Sequence, residues 1–364
     1  MDRTSISRRD LLRSAVLSAG MAELAMWGSD AKTATGERCD ASGEVLGDSV
    51  VPSSNTYRTI CPQHKDLMMQ RSSNAHDEIK KSLSREGARP VVVGAYQMAN
   101  HCGGKKQKEE NLERMLAAIQ RMAGEGVQVL VFPEMCLPGY FTYVNGSATE
   151  ARKANRALAD EVKGSRYLDA VQRAARQEHM VVSFGFCERD GHDYYNSIGV
   201  VDADGSWLGT RRKNPLYPWA YEVDSFTEPD ASERSAVFGT KYAKVGISNC
   251  FDGAFPESIR QMRLDGAEML LWSNAAVGSA YLGSSGLIHH AGSYAQANNM
   301  WVVCCNCVAA NTSGTSVIMG PAGEPLVILP PDREGFGVAT VNLALTVNWE
   351  MWRKRLGPQW KAYL

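Results

Sequence analysis

Beginning at Ala88, short apolar runs alternate with longer stretches whose apolar residues recur at helical spacing. "ARPVVVGAYQMA" (Ala88 to Ala99) predicts a buried strand. "KEENLERMLAAIQRMAGEG" (Lys108 to Gly126) predicts a helix stopped by Gly124 and Gly126, and "VQVLVFPE" (Val127 to Glu134) a second buried strand cut off by Pro133. Helical spacing returns near Ala148 to Val162 and Arg166 to His179, ahead of a strand, "MVVSFGFCER". "YYNSIGVVDADGSWLGTRRK" (Tyr194 to Lys213) predicts a hairpin around Ala203-Asp204-Gly205, and "SAVFGTKYAKVGISNC" repeats that strand-turn-strand logic. A helix over Pro256 to Leu264, the strand "MLLWSNAA", the helix "LIHHAGSYAQANN" and the strand "WVVCCNCVA" follow. A final meander passes Pro321-Ala322-Gly323 to "FGVATVNL". Strands that alternate with helices but also pair through tight hairpins imply mixed sheets, packed inside one domain with helices outside. No repeat of fixed period is visible.

The first residues have a different pattern. "SRRDLLRSAVLSAGMAELAMWG" sets Arg8-Arg9 before a weakly apolar stretch, which reads as a twin-arginine export signal over residues 1–30 and implies a periplasmic protein. That stretch is too short and too polar to span a membrane, and no other segment is long and apolar enough, so stable membrane insertion is not expected. Residues 31–87 are rich in Ser, Thr, Asn, Asp and Lys and read as an extension or linker, with one short helix around His76 to Leu83. The folded domain is assigned to residues 88–364.

Bulk composition narrows the function by exclusion. The 364 residues are 44% apolar and 22% charged with a formal net charge of -1, so neither nucleic acid nor an anionic membrane is an indicated partner. The densest charge run, "GGKKQKEEN", reads as a solvated loop entering a helix. Nine scattered cysteines, an odd number, do not describe a disulfide framework. "CCNC" (Cys304 to Cys307) has no second pair to complete a zinc site and follows an apolar run, so it reads as buried strand; no metal is expected.

Three strand ends each carry a functional side chain just past an apolar run. Glu134 follows Pro133, where a buried carboxylate must be paired or take up a proton; either outcome suits a general base. Lys213 closes the hairpin before Asn214-Pro215. Cys250 ends "KVGISNC" and is followed at once by Phe251-Asp252-Gly253 and a new helix. Such a turn presents the sulfur, whose thiolate is the nucleophile and needs a nearby base or cation.

These stretches, "FPE" at Glu134, "RRK" at Lys213 and "NCFDGAFPE" around Cys250, resemble the nitrilase superfamily of carbon-nitrogen hydrolases, over roughly Arg89 to Leu345. "YNSIGVVDADG" before the lysine also matches the pattern of the family. The resemblance implies an α/β fold, a four-layer α-β-β-α sandwich of two mixed sheets, and a Glu-Lys-Cys triad without a cofactor. By that resemblance Glu134 takes the thiol proton, Cys250 forms a thioester, and Lys213 with the backbone N–H of Phe251 faces the oxyanion. Glu222 fits the family's second carboxylate, ahead of Glu228. The resemblance also implies a homodimer or higher homo-oligomer built by stacking helices, including the one after Cys250.

Cys250-Phe251-Asp252 differs from the Cys-Trp-Glu of nitrile-hydrolysing members, and Gly253-Ala254 stand where carbamoylases of D-amino acids place two arginines. The chain looks most like amidases of short aliphatic amides, with a small uncharged amide as partner molecule and ammonia as leaving group. Tyr140, Tyr217, Trp219 and Phe251 are expected to line an aromatic pocket. The alternatives are an N-carbamoyl or ureido amidohydrolase, a nitrilase, a non-catalytic binding protein and a thiol redox sensor.

Overall fold

The computed structural model of the chain describes residues 31–32, 38–39, 77–140, 147–219, 221–230, 236–276, 285–309, 312 and 314–346. The segment read as an export signal, most of the expected extension and the tail beyond residue 346 lie outside the described residues. Backbone contacts separate two units, Met1–Leu67 and Met68–Leu364. In the first, Ala31–Lys32 pairs antiparallel with Arg38–Cys39. The second holds everything that follows and opens with a helix over 77–83.

One six-stranded sheet has the order β12-β1-β2-β3-β4-β5. Its strands are β1 (Pro90–Gln97), β2 (Val129–Val131), β3 (Val181–Asp190), β4 (Asp193–Val201), β5 (Trp207–Arg212) and β12 (Gly335–Asn342). The other has the order β11-β10-β9-β8-β7-β6. It uses β6 (Val237–Gly239), β7 (Lys244–Asn249), β8 (Met269–Ser273), β9 (Trp301–Cys305), β10 (Val317–Met319) and β11 (Pro325–Ile328). In each sheet three central strands run parallel, one antiparallel strand flanks them on one side and two on the other. The two sheets therefore share one pattern of strand directions, but the single flanking strand is the last of the chain, β12, in the first sheet and directly precedes the parallel trio, as β6, in the second.

The apolar runs sort by parity. Val91, Val93, Val129, Val131, Val245, Ile247, Leu271, Trp301 and Val303 face between the sheets. Their neighbours Leu130, Phe132, Val182, Phe184 and Phe186 face outward beneath α1 (Gly104–Gly124) and α3 (Arg166–Gln177). Leu270, Trp272, Val302 and Cys304 do the same beneath α5 (Pro256–Leu264) and α6 (Ser285–Asn298). Parallel strands covered on both faces read as continuous apolar runs, which is why alternation was absent from the sequence. The result is the expected four-layer α-β-β-α sandwich. The helix over Lys108 to Gly126 begins earlier, at Gly104.

Two expectations need correction. α2 (Ala148–Ala157) starts at a Ser147–Glu150 capping box but stops well short of Val162. The chain leaves the helix at Leu158 because Asp160 bridges to Glu188 on β3, its N–H donating to Cys187 O. The charge run is also not a solvated loop: it forms the first turns of α1. Lys108 is buried, donating to Asp160 (2.6 Å) and Leu158 O (2.8 Å).

The sheets are stitched together at the edge where their central strands end. Asn100 N donates to Val308 O, Val308 N to Met98 O, Ser273 Oγ to Phe132 O and Glu134 N to Asn274 O. Gly185 on β3 lets the turn after β2 lie against the sheet: a Cβ there would sit 2.6 Å from Glu134 C. Gly185→Ala is expected to displace that turn, destabilising the protein by about 1–3 kcal/mol and lowering catalytic efficiency at least tenfold. Chemical denaturation and steady-state kinetics measure the two effects.

Candidate active site

Every group of the candidate site comes from that same edge, where open α/β sheets present their loops. Glu134 follows β2, Lys213 follows β5, Cys250 follows β7 and Ala275 follows β8. Glu222 opens the short helix α4 (Glu222–Ser225). Glu134, Lys213 and Glu222 are buried, and Cys250 is partly open.

The structure brings the predicted acid, ammonium and second carboxylate together. Lys213 Nζ donates to Glu134 Oε1 (2.7 Å) and Glu222 Oε2 (2.9 Å). Glu134 Oε2 accepts from the Ala275 N–H (2.9 Å), and Tyr140 OH donates to Glu222 Oε2 (2.8 Å). Asn196, which the sequence reading left inside the hairpin, completes the cluster. Its Nδ2 donates to both Glu134 Oε1 (2.7 Å) and Glu222 Oε1 (3.1 Å). All four carboxylate oxygens thus accept hydrogen bonds. Glu228, the competitor of Glu222, is exposed.

Burial alone would pull the Lys213 ammonium down, but the charges of Glu134, Glu222 and Cys250 hold it well above the usual lysine range. Burial pushes the Glu222 carboxyl up, as does the charge of Glu134, against the opposing effect of Lys213. The Cys250 thiol is pushed well above the ordinary range by burial and by Glu134, while Lys213 and the Ala275 N–H act in the opposite direction. The thiol is therefore protonated at rest, and a base must act on it at the moment of attack.

Cys250 sits at φ 47°, a left-handed conformation uncommon for a residue with a side chain. The surroundings hold it there. Asp252 accepts from Asn249 N (3.0 Å) and Asn214 N (2.9 Å) and pairs with Arg211 (2.9 Å), both ions fully buried. Trp272 Nε1 donates to Cys250 O (3.0 Å), and Tyr294 OH donates to Gly253 O. A Cβ on Gly253 would lie 2.5 Å from Trp272 Cε2, so the turn closes on the indole only with glycine there. Residues Cys250–Ala254 form a 3₁₀ helix with Asn249 as its cap. The first N–H groups of such a helix have no partner within it, which leaves the N–H of Phe251 available beside the sulfur.

Tyr140 is drawn inward to Glu222 rather than standing with the other predicted rings. Those form a row: Trp219 contacts Tyr217 (5.0 Å between centroids), Tyr217 contacts Phe251 (5.2 Å) and Phe251 contacts Phe255 (5.5 Å). The row starts beside the nucleophile and reaches solvent at Trp219 (48% exposed) and Phe255 (40%).

The chain belongs to the carbon-nitrogen hydrolase family, whose model matches residues 92–351. A citrullinase of Francisella tularensis is 34% identical over 46% of this chain and 56% of its own length. An N-carbamoylputrescine amidase of Arabidopsis thaliana is 31% identical over 53% of this chain and 62% of its own. The chain thus spans less than two thirds of these relatives. An amidase from Nesterenkonia sp. AN1, of the nitrilase superfamily, shares the fold at a TM-score of 0.59 and 21% identity, covering 76% of this chain and 98% of that one.

Because the charge of Glu134 raises the Cys250 thiol, Glu134→Gln is expected to lower the pH midpoint of Cys250 alkylation by iodoacetamide, even as it removes the base. Mass spectrometry of the Cys250 peptide across a pH series reads that midpoint.

Proposed function

We propose that this protein hydrolyses the C–N bond of a terminal carbamoyl group, R–C(=O)NH2, through a thioester on Cys250. The observation that carries the reading is the buried ammonium of Lys213, bonded to two carboxylates at the strand edge that also presents Cys250. Glu134 takes the thiol proton while the sulfur attacks the carbonyl carbon. The oxyanion is met by the Phe251 N–H and by the third N–H of Lys213, whose other two are committed to the carboxylates. The C–N bond breaks, and Glu134 returns the proton to the departing ammonia. Water, deprotonated by Glu134, then attacks the thioester and releases the acid with the thiol restored. Glu222, fixed by Tyr140, Asn196 and Lys213, holds the substrate amide.

The row Trp219, Tyr217, Phe251 and Phe255 supports an uncharged, apolar R group, since Gly253 and Ala254 offer no cation for a carboxylate. The names of the citrullinase and the N-carbamoylputrescine amidase favour a second reading, in which the carbamoyl group sits on nitrogen as a ureido compound. The twin-arginine segment supports action in the periplasm, and the family resemblance supports a homo-oligomer.

A panel of propionamide, phenylacetamide, citrulline, N-carbamoylputrescine and propionitrile, assayed for ammonia, separates these readings. Turnover of the two amides is expected, with an acyl adduct on Cys250 by mass spectrometry; turnover of the ureido compounds alone selects the second reading. Cys250→Ser and Glu134→Gln should each lose at least 99% of activity, Cys250→Ser with an unchanged melting curve and Glu134→Gln folded but with a lower melting temperature, since it takes a charge partner from the buried Lys213; double-digit residual activity in either refutes the mechanism. Trp219→Ala should cut kcat/KM for phenylacetamide about tenfold, since lost burial of one ring is worth about 1.5 kcal/mol, and leave propionamide nearly unaffected.

A further inference from the structure

Asn196 lies fully buried near the start of β4, in the sheet that also supplies Glu134 and Lys213. Its amide nitrogen has two N–H donors, and both are spent on carboxylates: Glu134 Oε1 at 2.7 Å and Glu222 Oε1 at 3.1 Å. Its Oδ1 and its backbone O accept from Asn249 Nδ2, at 3.0 and 3.2 Å. Asn249 ends β7 in the opposite sheet and directly precedes Cys250. The same backbone O also accepts the N–H of Lys213 (2.8 Å). One side chain therefore touches the base, the second carboxylate and the residue before the nucleophile, across the seam between the sheets.

The chemistry needs such a tie. Glu134 Oε1 is saturated by Lys213 and Asn196, which leaves Oε2, next to the Ala275 N–H, as the oxygen that can receive a proton. A carboxylate free to rotate about its last torsion would present either oxygen. We propose that Asn196 is a positioning residue that locks Glu134 with Oε2 toward Cys250 and sets the distance between base and nucleophile by holding Asn249. This rests on the hydrolase reading above. A carboxylate or hydroxyl cannot replace the amide: aspartate keeps the acceptor for Asn249 but turns a donor into a negative charge against two others.

The titratable and charged groups around this amide are Glu134 from the turn after β2, Glu222 from α4, Lys213 from the end of β5 and Cys250 from the end of β7. Tyr140 reaches it through Glu222, and the Cys307 thiol lies beside Glu134. Adding a carboxylate at position 196 raises the proton affinity of its neighbours, and removing the donors does so less strongly.

Asn196→Asp and Asn196→Ser are to be compared with the unchanged protein in two assays. The first is kcat/KM for the best amide of the panel against pH. In Asn196→Asp it is expected to fall about a hundredfold, with the acid limb moved up by about one pH unit; Asn196→Ser should move the limb the same way by less. The second is the pH midpoint of iodoacetamide alkylation at Cys250, which needs no substrate and should rise in Asn196→Asp. An acid limb and an alkylation midpoint that stay where the unchanged protein has them, in whichever variant folds, overturn the proposal. Asn196→Ser is the smaller change and serves where the aspartate variant does not fold. An unchanged protein that turns over no compound of the panel would sink the hydrolase reading instead, and the alkylation result would still report on Asn196.

Discussion

The site depends on one ammonium held between two carboxylates out of water. Lys213 is 1% exposed, and neither Glu134 nor Glu222 has any exposed surface. Removing one partner from such a buried cluster costs about 3–5 kcal/mol, because the charge left behind is neither paired nor solvated. The cluster is tolerable because each carboxylate oxygen also finds a neutral donor or the ammonium itself, from Ala275, Asn196, Tyr140 and Lys213. That requirement dictates the local backbone. The loops after β2, β5 and β8 must meet at one edge, and α4 must place Glu222 above them.

This constraint explains why the architecture is two sheets rather than one. Glu134 and Lys213, the proposed base and ammonium, come from the sheet that contains β2 and β5, and Cys250, the proposed nucleophile, from the sheet that contains β7. Their separation is set by the packing of Val93, Val131, Ile247, Leu271 and Trp301 between the sheets, and by the hydrogen bonds at the seam. Interiors are close-packed and deform little, so the apolar core between the sheets fixes the reach of the chemistry. A second tie, the buried Arg211–Asp252 pair, couples the end of the lysine strand to the turn that carries Cys250.

Much of this was legible in the chain. Apolar runs gave the strands because parallel strands covered on both sides need no polar positions, helical spacing gave the helices, and Pro256 marked the start of α5. Glu134, Lys213 and Cys250 stood out because each is a functional side chain at the end of a buried run. What was hidden is long-range pairing. Asn196 looks like one polar residue in a strand, and its partners Glu134 and Asn249 lie 62 and 53 positions away. The early end of α2 follows from Asp160 bridging to β3, where it also meets Lys108, 52 positions earlier, and helical spacing cannot register either partner. The shared pattern of strand directions in the two sheets was equally silent, since it repeats here without residues repeating.

The resting protonation of Cys250 follows from the same charge balance and shapes the proposed reaction. With Glu134 and Glu222 already bonded to the one ammonium of Lys213, a thiolate would add negative charge to a buried space that holds two carboxyl groups. Burial and Glu134 therefore keep the thiol protonated. A nucleophile that is neutral at rest is protected from adventitious alkylation and oxidation, both of which select thiolates. It becomes reactive only when its proton moves to Glu134, a transfer that leaves the total charge of the cluster unchanged. In the proposed reaction the charge then passes to the substrate oxygen, with the Phe251 N–H and Lys213 as its donors. The geometry thus favours attack on a carbonyl already seated against those donors over the formation of a free thiolate, and this ties reactivity to the presence of substrate.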